Sequence, residues 1–291
     1  MRRIVVTGAT GTVGGAAMRL LAAGSGGEVE VLGAARSDKA AEALAAKGHR
    51  PVRLDYDAPE TLRPALEGAD AVFLVTGYSV DMLVHSKRLL DAARAAGVRH
   101  VVHLGALAAD DTPHAHFAWH QLVERAIEAM GFGWTHLRPN FFMDTVWSGF
   151  RHKPDRIVHF VGDRRVSWIA AEDIAAVAAE ALRDPEAHAG RVYPLAGEVL
   201  AFDEVAAVLE RVTGRPVSYR PRPAADLLPL LLKQGMEPNY AGGLAEGVAA
   251  IERGELPLVD AAYDTVAAVT GRPATTWEAF ARSRLADLPT A

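Results

Sequence analysis

Three histidines stand within seven positions in HAHFAWHQLVE, residues 114–124: His114, His116 and His120. Imidazoles at this spacing suit three roles. His116 and His120, four residues apart, can share a helix face as paired zinc ligands do. A single imidazole, whose ordinary pKa lies near neutrality, suits proton donation. The third role is a solvated helix start that does no chemistry. The metal reading lacks the glutamate of an HExxH motif, HFAWH standing in its place, and Pro113 makes His114 and His116 entrance residues rather than parts of a rigid cage. No metal site is expected.

A second set of residues, in VVTGATGTVGGAAMRLL, puts Gly8, Gly11 and Gly14 after an apolar run and at the opening of an Ala/Leu-rich one. Glycines in that place permit a tight turn, let backbone approach a pyrophosphate, and bring helix and strand together, while the free N–H groups of the helix start face the anion. Thr7, Gly8, Thr10, Gly11, Thr12, Val13 and Gly14 are therefore the expected contacts of a dinucleotide. The second apolar run ends in VLGAARSDKA, where an acidic residue would bind a ribose 2′-hydroxyl; Arg36 stands there instead, followed by Lys39, and a guanidinium suits a 2′-phosphate. NADP(H) is thus favoured over NAD. Asp55 and Tyr56 fall at the adenine edge, and Thr76 and Gly77 line the same groove.

Positioning these groups requires repeated βαβ units. Short β-branched runs at RIVVTG, EVEVLG, PVRL, DAVFLV, RHVVHL and GWTHLRP alternate with helical patterns, each run apolar almost throughout, as in a parallel sheet covered on both faces. The fold class is α/β, a doubly wound parallel Rossmann sheet with a smaller C-terminal α/β substrate lobe. Residues 1–139 form the NADP-binding core, and residues 140–291 form the substrate lobe, interleaved with completion of the sheet. In the second part DRIVHFVGDRRVSWI reads as a short strand pair, AAEDIAAVAAEALRD as a helix, RVYPLA and RPVSYR as strands, and the rest as Ala/Leu-rich helices to the end. Arg138, Pro139, Asn140 and Phe141 close the sixth strand, at the edge where such sheets bind ligands, and are expected at the nicotinamide. Tyr78, His116, Trp119, Phe142, Met143 and Trp147 are expected to frame an apolar substrate pocket. Asp173 reads as a helix cap or an orienting group.

The motifs TGATGTVG, ARSDKA, AARAAGVRHVV, VERAIEAMGFGWTHLRP and EDIAAVAAEAL together resemble the NmrA-like atypical short-chain dehydrogenases, over most of the chain, with HLRPNFFMD closest to the quinone and triphenylmethane reductase branch. That resemblance implies the Rossmann fold and an NADP(H) site. Members include cofactor-sensing regulators without catalysis as well as NADPH-dependent reductases. The wider superfamily works through a Tyr-x-x-x-Lys pair with a serine, and no tyrosine and lysine here have that spacing. At the strand end that often carries the serine, HLGALAAD offers Gly105. On the family helix His120 stands where the active-site lysine is usual, and the reductase branch has a histidine there. The implied role of His120 is to bind the nicotinamide ribose or donate a hydrogen bond as a weak acid.

The leading expectation is an NADPH-dependent reductase of a quinone-like or conjugated apolar small molecule. The alternatives are a non-catalytic NADP-sensing regulator, which would need a protein partner, and a redox-neutral isomerase or cyclase of aromatic metabolites. With 31 basic and 36 acidic residues, a net charge of −5 and no block of like charge, neither nucleic acid nor a membrane is expected as partner. The absence of cysteine excludes disulfides and thiolate chemistry. MRRIVVTGAT passes straight into a strand without a signal-peptide pattern, so a cytoplasmic location is expected; a homodimer is compatible with the sequence.

Overall fold

A computed structural model of the chain describes residues 1–23 and 28–288. The first six apolar runs become β1 (Arg2–Val6), β2 (Val29–Ala35), β3 (Arg50–Arg53), β4 (Ala71–Leu74), β5 (His100–Leu104) and β6 (Gly133–Pro139). Later strands are β7 (Phe141–Phe142), β8 (Arg156–His159), β9 (Arg165–Ile169), β10 (Arg191–Leu195), β11 (Val199–Ala201) and β12 (Ser218–Pro221). The main sheet has seven strands in the order β10-β6-β5-β4-β1-β2-β3, and the ladders from β3 through β6 are parallel. This is the doubly wound Rossmann order, reversing direction between β1 and β4, where the carboxyl ends of the strands leave a crevice. All four residues of β4 are buried, as a central strand covered on both faces must be.

The helices α1 (Thr12–Ala23), α2 (Asp38–Ala45), α3 (Leu62–Leu66), α4 (Met82–Ala95), α5 (Ala115–Ala129), α6 (Met143–Phe150) and α7 (Ala171–Arg183) follow strands of the sheets or link them. α1 buries Ala16, Ala17, Met18 and Leu21. Its small residues let the helix lie close to the sheet, and a Cβ on Gly14 would come 2.3 Å from the Gly8 carbonyl oxygen.

The chain divides into two compact units. The first comprises Met1–Ala106, Trp119–Arg138 and Ile174–Tyr193; the second comprises Leu107–Ala118, Pro139–Asp173 and the chain from Pro194 onward. The break expected after Pro139 falls after Arg138, while residues 107–118 join the second unit and residues 174–193 the first. Residues 289–291, the end of the expected helical tail, lie outside the described residues.

DRIVHFVGDRRVSWI needs correction. It makes two strands, but they do not pair: β8 runs parallel to β12, whereas β9 pairs with β11 and β7. Phe160 and Val161, buried between the two strands, draw the connection into the core, so no hairpin register forms and each strand takes another partner. The second unit's core is aromatic, with Trp147, Phe150, Trp168, Phe202, Trp277 and Phe280 in one cluster. The Trp168 and Trp277 rings meet edge to face at 5.2 Å. Asp173, fully buried, accepts from Arg272 (2.6 Å) and from Thr275 N (2.7 Å), and so ties down the segment around residues 272–275. No helix among the described residues is long and apolar enough to cross a membrane.

Candidate functional site

At the carboxyl end of β1 the chain turns through Gly8, whose φ of +60° suits glycine and whose added Cβ would strike the Val75 side chain at 2.9 Å. Gly8, Thr10, Gly11 and Thr12 are exposed, and Val13 and Gly14 are buried beneath them. Within the turn the Gly11 N–H donates to the Gly8 carbonyl at 2.9 Å, and the exposed residues around it stand at the N-terminus of α1, where backbone and hydroxyl groups suit an anion. Thr7 is different. Its hydroxyl lies 3.0 and 3.1 Å from the Phe73 and Val75 carbonyls and accepts the Val75 N–H at 2.7 Å, so it pins β1 to β4 instead of facing a ligand.

Past β2, Arg36 and Lys39 are exposed, and Ser37 caps α2 by accepting from Ala40 N at 3.2 Å. Arg53 sits 3.6 Å from Asp38 and 3.8 Å from Asp55. Asp55 is half-buried. The Tyr56 ring stacks on His85 at 5.0 Å, and burial pushes its phenol up to about 12, which keeps it neutral. Thr76 is half-buried and Gly77 exposed with open space about it; Tyr78, next in the chain, is 76% exposed.

Under α5 the first unit carries a polar core that the sequence reading left out. His103 and His136 are register partners on β5 and β6, so their rings lie side by side on one face of the sheet, 5.8 Å apart. His120 on α5 lies 5.7 Å from His103, ring centre to ring centre. Both His103 and His136 are fully buried, and His120 is 8% exposed. Neither ring nitrogen of His103 has a hydrogen-bond partner among the described residues. His136 Nε2 is 3.3 Å from Glu128 Oε1, near but out of line for a hydrogen bond. Desolvation first, then His120, His136 and Arg138, hold His103 well below the usual imidazole range; burial, with Arg138 and Arg125, pushes His136 down to about 3. Both rings are neutral.

Beside them Glu124 is held by Arg138 in a two-point fork, Nε to Oε1 at 3.0 Å and an outer nitrogen to Oε2 at 2.6 Å. Arg138, expected at the nicotinamide, thus spends its guanidinium on a buried carboxylate. Gly105 explains the missing serine: an added Cβ would come 3.1 Å from Glu124 Oε1, which the fork keeps in place. His103, Glu124 and His136 bring one ligand atom each within 4.8 Å of one another. The same fork opposes a metal ion there, because Arg138 already neutralises the only anionic donor and would repel the cation. The signal that could have revealed this core was a histidine inside each of two strands apolar on both faces.

In the second unit His114 Nδ1 is 2.6 Å from Glu246 Oε1, and His116 packs edge-on against Tyr240 at 5.6 Å. Burial lowers His116 to about 4. Both partners, Glu246 and Tyr240, come from the helix Pro238–Arg253. Asn140 uses its amide N–H groups on Ser167 Oγ and the Val259 carbonyl, each at 2.8 Å, so its side chain fastens the loop at Val259. That loop contains Leu258, a non-glycine residue at φ 66°. Phe141 packs against His159, Trp168 and Phe202 at the edge of the aromatic core. Met143 and Trp147, expected as pocket walls, lie inside that core and offer a ligand no surface, because α6 turns its apolar face inward. Pro139 is buried, Phe142 is half-buried at the head of α6, and Trp119, in the first unit, is also half-buried. A cleft of 350 Å³ in the second unit is lined by Asp203, Glu210, Arg211 and Tyr219 among others, and contains none of the expected pocket residues.

Sheet order and glycine turn together define a Rossmann protein of the dinucleotide-binding class. The chain belongs to the NmrA-like family, whose model matches residues 1–281. It is 34% identical to an NAD(P)H azoreductase of Xenophilus azovorans over 97% of this chain and 98% of that protein. Among solved structures, the NADPH-dependent quinone oxidoreductase QOR2 of Escherichia coli, complexed with NADPH, matches with a TM-score of 0.82 at 26% identity, covering 96% of this chain and 99% of that one. The triphenylmethane reductase of Citrobacter sp. matches with a TM-score of 0.82 at 26% identity, covering 98% and 99%. These relatives are NAD(P)H-dependent oxidoreductases.

Proposed function

We propose that this protein is an NADPH-dependent reductase of a quinone-like, azo or other conjugated apolar acceptor. The observation that carries the reading is the exposed turn at Gly8, Thr10, Gly11 and Thr12, where Gly8 and Gly14 pack too closely for a Cβ on Gly14, the glycine arrangement that a pyrophosphate-binding turn uses. Arg36, exposed past β2, supports NADPH over NADH through its charge toward a 2′-phosphate. The reductase names of the similar proteins support the reaction class.

NADPH, when bound, supplies a hydride. The chain's part is to bind and orient it through the turn, to match the 2′-phosphate at Arg36 with Lys39 nearby, and to deliver a proton. His120 is the group assigned to that proton, since no tyrosine and lysine stand in the usual spacing and Gly105 occupies the strand end where the serine is common. Conjugated acceptors suit this machinery, because the anion left by the hydride can take its proton from an acid as weak as an imidazole. Oxidation of NADPH with a panel of quinones and azo dyes tests the reading: turnover supports it, and tight binding of NADPH without turnover on any acceptor overturns it in favour of a sensor. His120→Ala is expected to lower turnover; unchanged turnover and unchanged NADPH affinity would remove the role given to His120.

A further inference from the structure

We propose that His120, His103, His136 and Glu128 form a proton relay that resupplies His120 from bulk water through the interior of the first unit. The proposal rests on the reductase reading above, in which His120 gives up one proton per turnover. The four groups run in file. The ring centres of His120 and His103 are 5.7 Å apart and those of His103 and His136 5.8 Å, and His136 Nε2 ends 3.3 Å from Glu128 Oε1. Glu128, 27% exposed and paired with Arg125, opens the file to solvent.

Neither His103 nor His136 makes a direct hydrogen bond through its ring among the described residues. One donor or acceptor atom each of His103, His136 and Glu124 lies within 4.8 Å of the others, a separation that a single water with these three polar partners would bridge. A neutral imidazole has one N–H and one lone pair, so it takes a proton on one nitrogen and releases another from the opposite one. The charged groups facing the file are Glu124 and Arg138, which cancel, together with Arg125 and Glu128; His100 is the further imidazole near His136. An imidazole with a pKa of about 3 is protonated in about one molecule in ten thousand at pH 7, so His136 passes protons and does not store them.

The steps balance. A quinone takes the hydride, with its electron pair, from NADPH and becomes a hydroquinone anion; the proton on His120 completes the hydroquinone. Glu128 then takes a proton from bulk water and passes it to His136, which releases the proton of its other nitrogen to His103. His103 in the same way protonates His120, so one solvent proton enters for each one His120 gives up. A cationic triphenylmethane dye takes the same hydride and is neutralised by it, with no proton required.

The test compares these two acceptors in the wild type, Glu128→Gln and His136→Gln. Quinone turnover is expected to fall at least about tenfold in both variants, while reduction of the cationic dye stays within about twofold and so reports intact folding, NADPH binding and hydride transfer. Equal losses on both acceptors, or no loss on either, would overturn the relay, as would a wild type that reduces only the cationic dye. A second readout uses the cofactor-free protein with ¹⁵N-labelled histidine. The buried N–H protons of His103 and His136 should exchange with water in the wild type and at least about tenfold more slowly in Glu128→Gln; equal rates overturn the relay. If the wild type reduces neither acceptor, the reductase reading fails, and the exchange rates still decide whether the file conducts. A stoichiometric transition metal in the purified protein would also overturn the proposal, because ligated nitrogens carry no protons.

Discussion

The two units fill their interiors with different materials. Beneath α5 the first unit buries two neutral imidazoles and the Glu124–Arg138 pair; the second packs tryptophans and phenylalanines edge to face around Trp168 and Trp277. An aromatic core gains from every ring it removes from water. A polar core is costly unless each charge and each nitrogen finds a partner, and the ring nitrogens of His103 find none among the described residues. The contrast also separates two kinds of expected residue. Arg138, expected at the nicotinamide, holds Glu124, whereas Trp147, expected at the substrate, lies in the aromatic core.

Replacing Glu124 by Ala would break the first side of this contrast most severely. Removal of the carboxylate strands a buried guanidinium and is expected to cost about 4 kcal/mol in urea unfolding, while the double change Glu124→Met with Arg138→Met should recover most of that loss. Trp147→Ala addresses the other side: a cavity in the aromatic cluster should cost about 3 kcal/mol, with NADPH affinity unchanged. An effect on NADPH affinity without loss of stability would return Trp147 to the pocket.

Acid should sharpen the contrast further. Burial holds His100, His116 and His159 near 4 and His136 near 3, below the 6.5 of an exposed imidazole. The unfolded chain therefore binds protons that the native one refuses. The stability these residues contribute is fully present above pH 6.5 and is lost as pH falls toward their native values. The slope approaches about 1.4 kcal/mol per pH unit for each histidine. Urea midpoints at pH 7, 6 and 5 should fall progressively, and a flat profile would mean that the imidazoles are not buried neutral. The smallest effect is at the surface: Arg36→Ala should weaken NADPH about tenfold and leave NADH unchanged, as read by titration.

The glycine turn and the strand order were legible because both are local. A glycine's freedom and a β-branched run are properties of a few adjacent residues, and the parallel order follows from their alternation with helices. The failures were all matters of partnership. An apolar alternation at β8 and β9 looks the same whether the strands pair with each other or with β12 and β11. Nothing in the neighbourhood of Arg138 announces that Glu124, fourteen residues earlier on a helix, will occupy its guanidinium. Likewise the inward face of α6, which buries Met143 and Trp147, is decided by Phe280 and Trp277, far along the chain. Histidines inside apolar strands were visible, yet their meaning depended on the β5–β6 register that sets them side by side.

Gly105 bears on what this scaffold can become. A serine there would press against a carboxylate clamped at two points, and freeing the carboxylate leaves an arginine without its counter-charge. A serine at this position therefore asks the Glu124–Arg138 fork to give by a few tenths of an ångström. How far that fork can shift decides whether a hydroxyl at position 105 is tolerated.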